Sequence, residues 1–463
     1  MSNSFQIITP IDGSVYAERA LHTYEQAQHA ANEAREAQRG WARLSIEERA
    51  VYMRRFLDCF LAKSDLIAEE LTWQIGRPIS QSPGELRGFA DRARYMIDCA
   101  SEALAPVVPS PIESLTRSVN RVPLGVVLNL PAWNYPLLTA VNAFVPALMA
   151  GNAVLFKHSS QTAICGDRIA AAFEEAGLPD GLFGHLYLDH ATTERLIASP
   201  AVDFVCFTGS VKGGHAVTRA ASERFIGMGL ELGGKDAAYV RHDANLAHAV
   251  ENLVDGAMFN SGQSCCGIER IYVHESLFDD FVEGAVMLAS QYRLGDPRDP
   301  NTNLGPLVRT SAAQSVRDQI EQARRMGAHL HVTPEQFGYD DPATAYLAPQ
   351  ILTNVTHEMD IMREETFGPA VGIMKVSSDE EAIRLINDSP YGLTSAIWTQ
   401  DQDVASVIAP QLEVGTVFMN RCDYLDPALA WVGVKDSGRG CTLSKVGYES
   451  LTRPQSLHFR TLS

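Results

Sequence analysis

The chain has 463 residues, 46% of them hydrophobic, with 56 acidic against 38 basic residues and a formal net charge of −18. That length supports two or three domains with a sizeable core, and the acidic excess excludes a nucleic-acid groove and fits a soluble, cytoplasmic protein. The start, Met1-Ser-Asn-Ser-Phe-Gln, has no basic or apolar leader, and the eight cysteines are scattered without metal-ligand spacing. No signal peptide, no metal and only free thiols are therefore expected.

Helical periodicity fills residues 20–74, where Ala27, Ala30, Ala31, Ala34 and Ala37 recur at helical spacing and Ser45 with Glu48 forms a capping box. Gly76-Arg-Pro78 closes that region, 84–104 predicts another helix, and 107–122 predicts an extended hairpin arm. The 35 residues 122–156 carry no charge, a length that would span a membrane. Pro123, Pro131, Pro136 and Pro146, with Asn129, Asn134, Asn142 and Asn152, punctuate the run too often for that. A buried strand–loop–helix–strand unit fits instead, and no membrane partner is expected.

Strands at 126–130, 153–157, 203–207 and 226–231 then alternate with helices at 136–150, 162–176 and 212–222, which predicts a doubly wound α/β sheet. A second α/β unit runs from 236 to about 436, with strands near 270–273, 370–375, 395–398 and 416–420, and 455–460 reads as a final strand. Two candidate edge strands, in the arm and at the end of the chain, need covering and favour an oligomer.

Five blocks carry chemistry. Glu231-Leu-Gly-Gly-Lys235 offers a carboxylate base, and Asn260-Ser-Gly-Gln-Ser-Cys265-Cys266 offers a thiol nucleophile. A thiol attacks a carbonyl carbon, and a base that activates water then hydrolyses the thioester. Phe207-Thr-Gly-Ser-Val-Lys-Gly-Gly214 follows an apolar strand and opens a helix, where small residues admit a pyrophosphate. Pro131-Ala-Trp-Asn-Tyr-Pro136 and Glu364-Glu-Thr-Phe-Gly-Pro369 complete the set. Taken singly, each has an ordinary structural reading: a buried cysteine, a strand-end glutamate, a turn asparagine.

Together, in this order and from about residue 8 to the end of the chain, the blocks resemble the NAD(P)-dependent aldehyde dehydrogenase superfamily. The resemblance implies a Rossmann-type cofactor domain (1–104 and 124–233), a second α/β catalytic domain (234–436) and a small β oligomerisation arm (105–123 and 453–463). It also implies a homodimer or homotetramer. The catalytic residues it implies are Cys265 rather than Cys266 as nucleophile, Glu231 as the base and Asn134 as an oxyanion donor. Its cofactor residues are Trp133, Lys157, Ser160, Gly209, Ser210, Gly214, Leu232, Gly233, Glu365 and Phe367.

The cofactor is NAD or NADP. Ser160 stands where NAD-preferring members often carry glutamate, and a serine there does not repel a 2′-phosphate, so NADP acceptance is expected. His158 replaces the family's usual proline. The implied reaction oxidises a small aliphatic aldehyde or semialdehyde to the acid, through a cysteine thiohemiacetal and a thioester. Two alternatives are a coenzyme A-acylating semialdehyde dehydrogenase, disfavoured by Glu231, and a cofactor-independent thiol esterase. A scaffold that kept only the fold is a third. Arg421 is open to two readings, a contact to a substrate carboxylate or an ion pair with Asp423 or Asp426, and the Lys435–Gly440 turn reads as structural.

Overall fold

Polar caps divide the helical N-terminal region. Thr23 and Ser45 each accept the N–H of the residue three positions on, Gln26 or Glu48, whose side chain accepts the cap residue's own N–H. The helices Tyr24–Trp41 and Ile46–Leu61 start there, and Ser64–Ile75 follows and ends on Gly76 at φ 76°. The computed structural model describes residues 4–461. Residues 1–3 and 462–463, the ends of the expected cofactor domain and arm and the start of the leader reading, lie outside the described residues.

The uncharged run folds as the strand Val126–Leu130, the helix Pro136–Met149 and the strand Ala153–Phe156, all largely buried. These join a six-stranded sheet in the order Gly438–Arg439, Gly227–Glu231, Phe204–Thr208, Val126–Leu130, Ala153–Phe156, Phe183–His185. All its pairings are parallel except that of Gly438–Arg439. The chain runs outward from Val126–Leu130 on one side and returns through Phe204–Thr208 on the other. The adjacent ends of those two strands are thus a topological switch point, where open α/β sheets bind ligands.

A seven-stranded sheet has the order His329–Leu330, Gln350–Thr353, Ala370–Val376, Ile268–His274, Asp236–Val240, Thr394–Trp398, Thr416–Met419. Its interior strand Asp236–Val240 shows why it is buried on both faces. Ala238 and Val240 join one apolar cluster with Ile271, Val273 and Ile373, whereas Ala237 and Tyr239 join another with Tyr272 and Leu352. Alternation of period two thus feeds two cores.

The arm differs from expectation. Its own hairpin is reduced to single bridges, Val107 to Val119 and Ile112 to Leu115. Leu115–Pro123 pairs instead with Thr452–Arg460, antiparallel from Thr452 opposite Pro123 to Arg460 opposite Leu115. The N-terminal hairpin Ser4–Ile8 with Val15–Ala20, and the short strands Phe183–His185, Gln350–Thr353 and Gly438–Arg439, were not expected. All eight cysteines are free thiols. Among the described residues no helix is long and apolar enough to cross a membrane.

Candidate active site

Cys265 is delivered by a left-handed turn. After the helix Leu246–Met258, Asn260, Ser261 and Gly262 take φ values of 53°, 57° and 71°. A Cβ on Gly262 would collide with the Gly368 carbonyl, so only glycine suits both the φ and the space. Gln263 holds the turn, its side chain accepting from Val308 N at 2.8 Å and donating to Asn260 O at 3.1 Å. Cys265 is half-buried, whereas Cys266 is buried and its thiol donates to Asp423 Oδ1 at 3.0 Å. Hydrogen bonding with Cys265, burial and the Asp423 charge push the Cys266 thiol far above its ordinary range.

Glu231 ends the strand Gly227–Glu231, beside Phe204–Thr208. Its carboxylate accepts from Thr208 Oγ1 at 3.1 Å and from Thr442 Oγ1. Burial raises its pKa, while the two threonine hydroxyls and the charge of Arg92 oppose the rise. The chain leaves Glu231 through Gly233 and Gly234, and a Cβ on Gly234 would strike the Cys265 carbonyl, which makes the two segments neighbours.

Asn134 precedes the helix Pro136–Met149 and is buried. Its Nδ2 donates to Gln263 O at 3.2 Å, which leaves its second amide hydrogen uncommitted. A buried network fixes its backbone: Asn134 O accepts from Asn260 Nδ2 at 3.2 Å and from the Arg77 guanidinium. Arg77 also donates to Asn260 Oδ1 at 2.9 Å and pairs with Glu85. Glu85 in turn accepts the Leu137 and Leu138 N–H groups at 2.7 and 3.2 Å, satisfying the first turn of the helix. Asn134, Glu231 and Cys265 line one cavity of about 390 Å³, together with Arg92, Asn142, Asp255, Asp423 and Trp431.

The expected cofactor residues gather at the switch point. Gly209 and Ser210 follow the strand Phe204–Thr208, and Ser210 caps the helix Val211–Ala220 by accepting Gly213 N–H at 3.2 Å. Gly214 packs against Leu232. Lys157 directly follows the strand Ala153–Phe156, on the other side of Val126–Leu130, and is half-buried; burial lowers its pKa, and its Nζ has no hydrogen-bond partner among the described residues. Ser160 is exposed at the start of the short turn Ser160–Thr162.

On the far side, Glu365 accepts Gly234 N–H at 3.0 Å and lies 2.6 Å from where a Gly233 Cβ would be. Burial and the charge of Glu269 push it up to about 8. Trp133 and Phe367 meet edge to face at 5.6 Å. Phe367 holds φ at 51° because Glu269 accepts both the Thr366 and Phe367 N–H groups, and Lys235 Nζ clamps Glu269 and Thr366 at 2.6 and 2.7 Å. A helix N-terminus, an unpartnered lysine and a carboxyl with spare hydrogen-bonding capacity around one crevice fit a dinucleotide.

Two residues left open by the sequence have definite places. His158 is a tie: its ring bonds Pro136 O at 3.1 Å and Thr162 Oγ1 at 2.9 Å, and burial lowers its pKa to about 3. Arg421 is exposed and lies 3.3 Å over the Tyr424 ring, outside the cavity wall and without an ion pair to Asp423 or Asp426 among the described residues. The ion-pair reading of Arg421 does not hold. The Lys435–Gly440 turn does act structurally, since Ser437 Oγ donates to Gly233 O at 2.7 Å. Arg77, Glu85, Arg92 and Glu269 carried no local signal of a site, whereas Lys235 closes the Glu231 block.

The model of the aldehyde dehydrogenase family matches residues 1–457. An aldehyde dehydrogenase of Paenarthrobacter nicotinovorans is 36% identical over 446 residues, spanning 95% of this chain and 96% of that protein. The NAD(P)+ succinate semialdehyde dehydrogenase Sad of Escherichia coli (strain K12) is 34% identical over 419 residues, 90% of each chain. Among solved structures, a succinic semialdehyde dehydrogenase from Streptococcus pyogenes in complex with NADP+ superposes with a TM-score of 0.93 at 30% identity, covering 99% of this chain and 100% of that one.

Proposed function

The chain belongs to the aldehyde dehydrogenase family, and from that premise we propose that it oxidises an aldehyde to the free carboxylic acid with NAD or NADP. The observation that carries this reading is the convergence of Cys265, Glu231 and Asn134 on one cavity. Cys265 Sγ adds to the aldehyde carbon, and the resulting oxyanion is held by the spare Asn134 amide hydrogen and the Cys265 backbone N–H. The nicotinamide, when bound, supplies the acceptor for the hydride whose loss turns the thiohemiacetal into a thioester. Glu231 then takes a proton from water, the hydroxide attacks the thioester carbonyl, and the Cys265 thiolate leaves as the acid forms. A carboxyl whose pKa burial raises suits that task, because a general base works best near the operating pH.

The dinucleotide is held, in this reading, by Ser210 with Gly209 and Gly214 at the pyrophosphate, Lys157 and Ser160 at the adenosine ribose, and Glu365 at the nicotinamide ribose. Trp133, Leu232, Gly233 and Phe367 wall the ring. The exposed Ser160 beside Lys157 leaves room for a 2′-phosphate, so NADP is accepted, as the relatives' names accord. The substrate is a small aliphatic aldehyde or semialdehyde. The paired strands Leu115–Pro123 and Thr452–Arg460 serve as the oligomerisation arm of a homodimer or homotetramer.

Reduction of NAD and NADP with a panel of aldehydes tests the reading. Turnover is expected in the wild type, to be abolished in Cys265→Ala, and to persist in Cys266→Ala. Loss in Cys266→Ala with retention in Cys265→Ala would exchange the two roles, and turnover without nicotinamide would identify an esterase.

A further inference from the structure

Arg92 lies on the helix Ser82–Ala103 and forms part of the cavity wall, yet it is only 7% exposed. Its Nη1 donates to Asn142 Oδ1 at 3.1 Å and to Leu138 O at 3.4 Å. A guanidinium has five N–H donors, and those on Nε and Nη2 have no partner among the described residues. The contrast with Arg77 is direct, since that buried guanidinium is matched by Glu85, Asn134 O and Asn260. Arg92 forms no ion pair among the described residues. The Glu231 charge acts on Arg92 through space but no carboxylate among the described residues bonds it, and a buried guanidinium whose donors go unmet is costly, so a site that keeps one has a use for it.

The other charges around the cavity define where an anion fits. Glu85 is taken by Arg77, and Asp91 sits at the exposed rim. Glu231 faces its two threonine donors. Asp423 and Asp255 stand with Cys422 and Asn252 in the cavity wall. Burial pushes both carboxyls up, Asp423 to about 6, and Asp423 also accepts from Ser264 Oγ at 3.0 Å. Arg77 engages all three of its nitrogens, whereas Arg92 engages only Nη1 and so has the larger spare donor capacity.

We propose that Arg92 is the anion anchor of the substrate site, receiving in its planar fork a carboxylate at the far end of the aldehyde chain while Asn142 holds the guanidinium in place. The inference rests on the dehydrogenase reading and narrows its substrate to a carboxylated aldehyde. It moves the role from Arg421, in the variable segment near the end of the chain, to a helix far earlier in sequence.

The test compares kcat/KM for succinate semialdehyde, its methyl ester and an amino aldehyde of equal length. The proteins are the wild type, Arg92→Leu, Arg92→Lys and Arg421→Leu. The wild type should prefer the carboxylate, and Arg92→Leu should lower the carboxylate-to-ester ratio about tenfold to a hundredfold, mainly through KM. Arg92→Lys should recover part of the ratio, and Arg421→Leu should keep it. A wild type without preference, a preference for the amino aldehyde, or an equal fall in kcat for all substrates in Arg92→Leu would overturn the anchor.

Calorimetric binding of succinate against succinamide, with wild type and Arg92→Leu, needs no turnover. Tighter succinate binding that Arg92→Leu abolishes supports the anchor even if no aldehyde is oxidised, in which case the dehydrogenase reading alone falls. Equal binding of both ligands, or no binding by the wild type, overturns the anchor whatever the activity.

Discussion

Glu231 and Cys266 line the same cavity as Cys265, and the groups around each decide its proton. Cys266 faces a carboxylate and a second thiol, which hold it in the neutral form. Glu231 is raised by burial but drawn back by hydroxyl donors, so it titrates above the ordinary carboxylate value of about 4.3 without losing the ability to ionise. A base acts when deprotonated. Where acid release limits turnover, kcat should therefore fall as pH drops through a midpoint above that ordinary value. Thr442→Val removes a hydrogen bond to the charged form, so it should move that acid limb to higher pH. A kcat–pH profile checks both statements, and an unshifted limb in the variant would detach Glu231 from the rate.

At the scale of elements, the site depends on contacts between segments remote in sequence. The Gly76–Pro78 turn supplies Arg77, the next helix supplies Glu85, and together they fix Asn134 and the start of the helix Pro136–Met149. Arg77→Met leaves Glu85 buried and unpaired, which should cost about 3–5 kcal/mol of stability. Thermal or denaturant unfolding measures that loss, and joint replacement of Arg77 and Glu85 by apolar residues should be milder than Arg77→Met alone. The same remoteness explains what was legible. The strands Val126–Leu130 and Phe204–Thr208 announce themselves as apolar runs ending in small or polar motifs. Gly438–Arg439 is a strand only because Gly227–Glu231 lies beside it, and two residues carry no period. Lys235 and Glu269 meet across different strands, so nothing local links them. Cys265 was legible because the small residues before it are odd for a core helix, and Glu231 and Asn134 because their blocks belong to the ordered set that carries the resemblance. Arg92 was not, because within its helix it reads as an ordinary surface charge.

For the whole molecule, two sheets with separate cores frame the crevice between the switch point and the Cys265 loop. The ribbon of Leu115–Pro123 with Thr452–Arg460 presents largely exposed or half-buried residues and open edges. A long exposed edge is a pairing surface, so removal of residues 453–463 should convert a dimer or tetramer into monomer or aggregate by light scattering. A wild type that is already monomeric would remove that role from the arm.

The central claim is that Cys265 forms a thioester and Glu231 hydrolyses it. Rapid mixing of aldehyde and oxidised cofactor with wild type and Glu231→Gln, followed by the near-ultraviolet absorbance of reduced nicotinamide, tests it most directly. The account predicts that Glu231→Gln still forms about one equivalent of reduced cofactor per Cys265, then turns over about a hundredfold or more slowly. Sustained turnover at the wild-type rate in Glu231→Gln would contradict it.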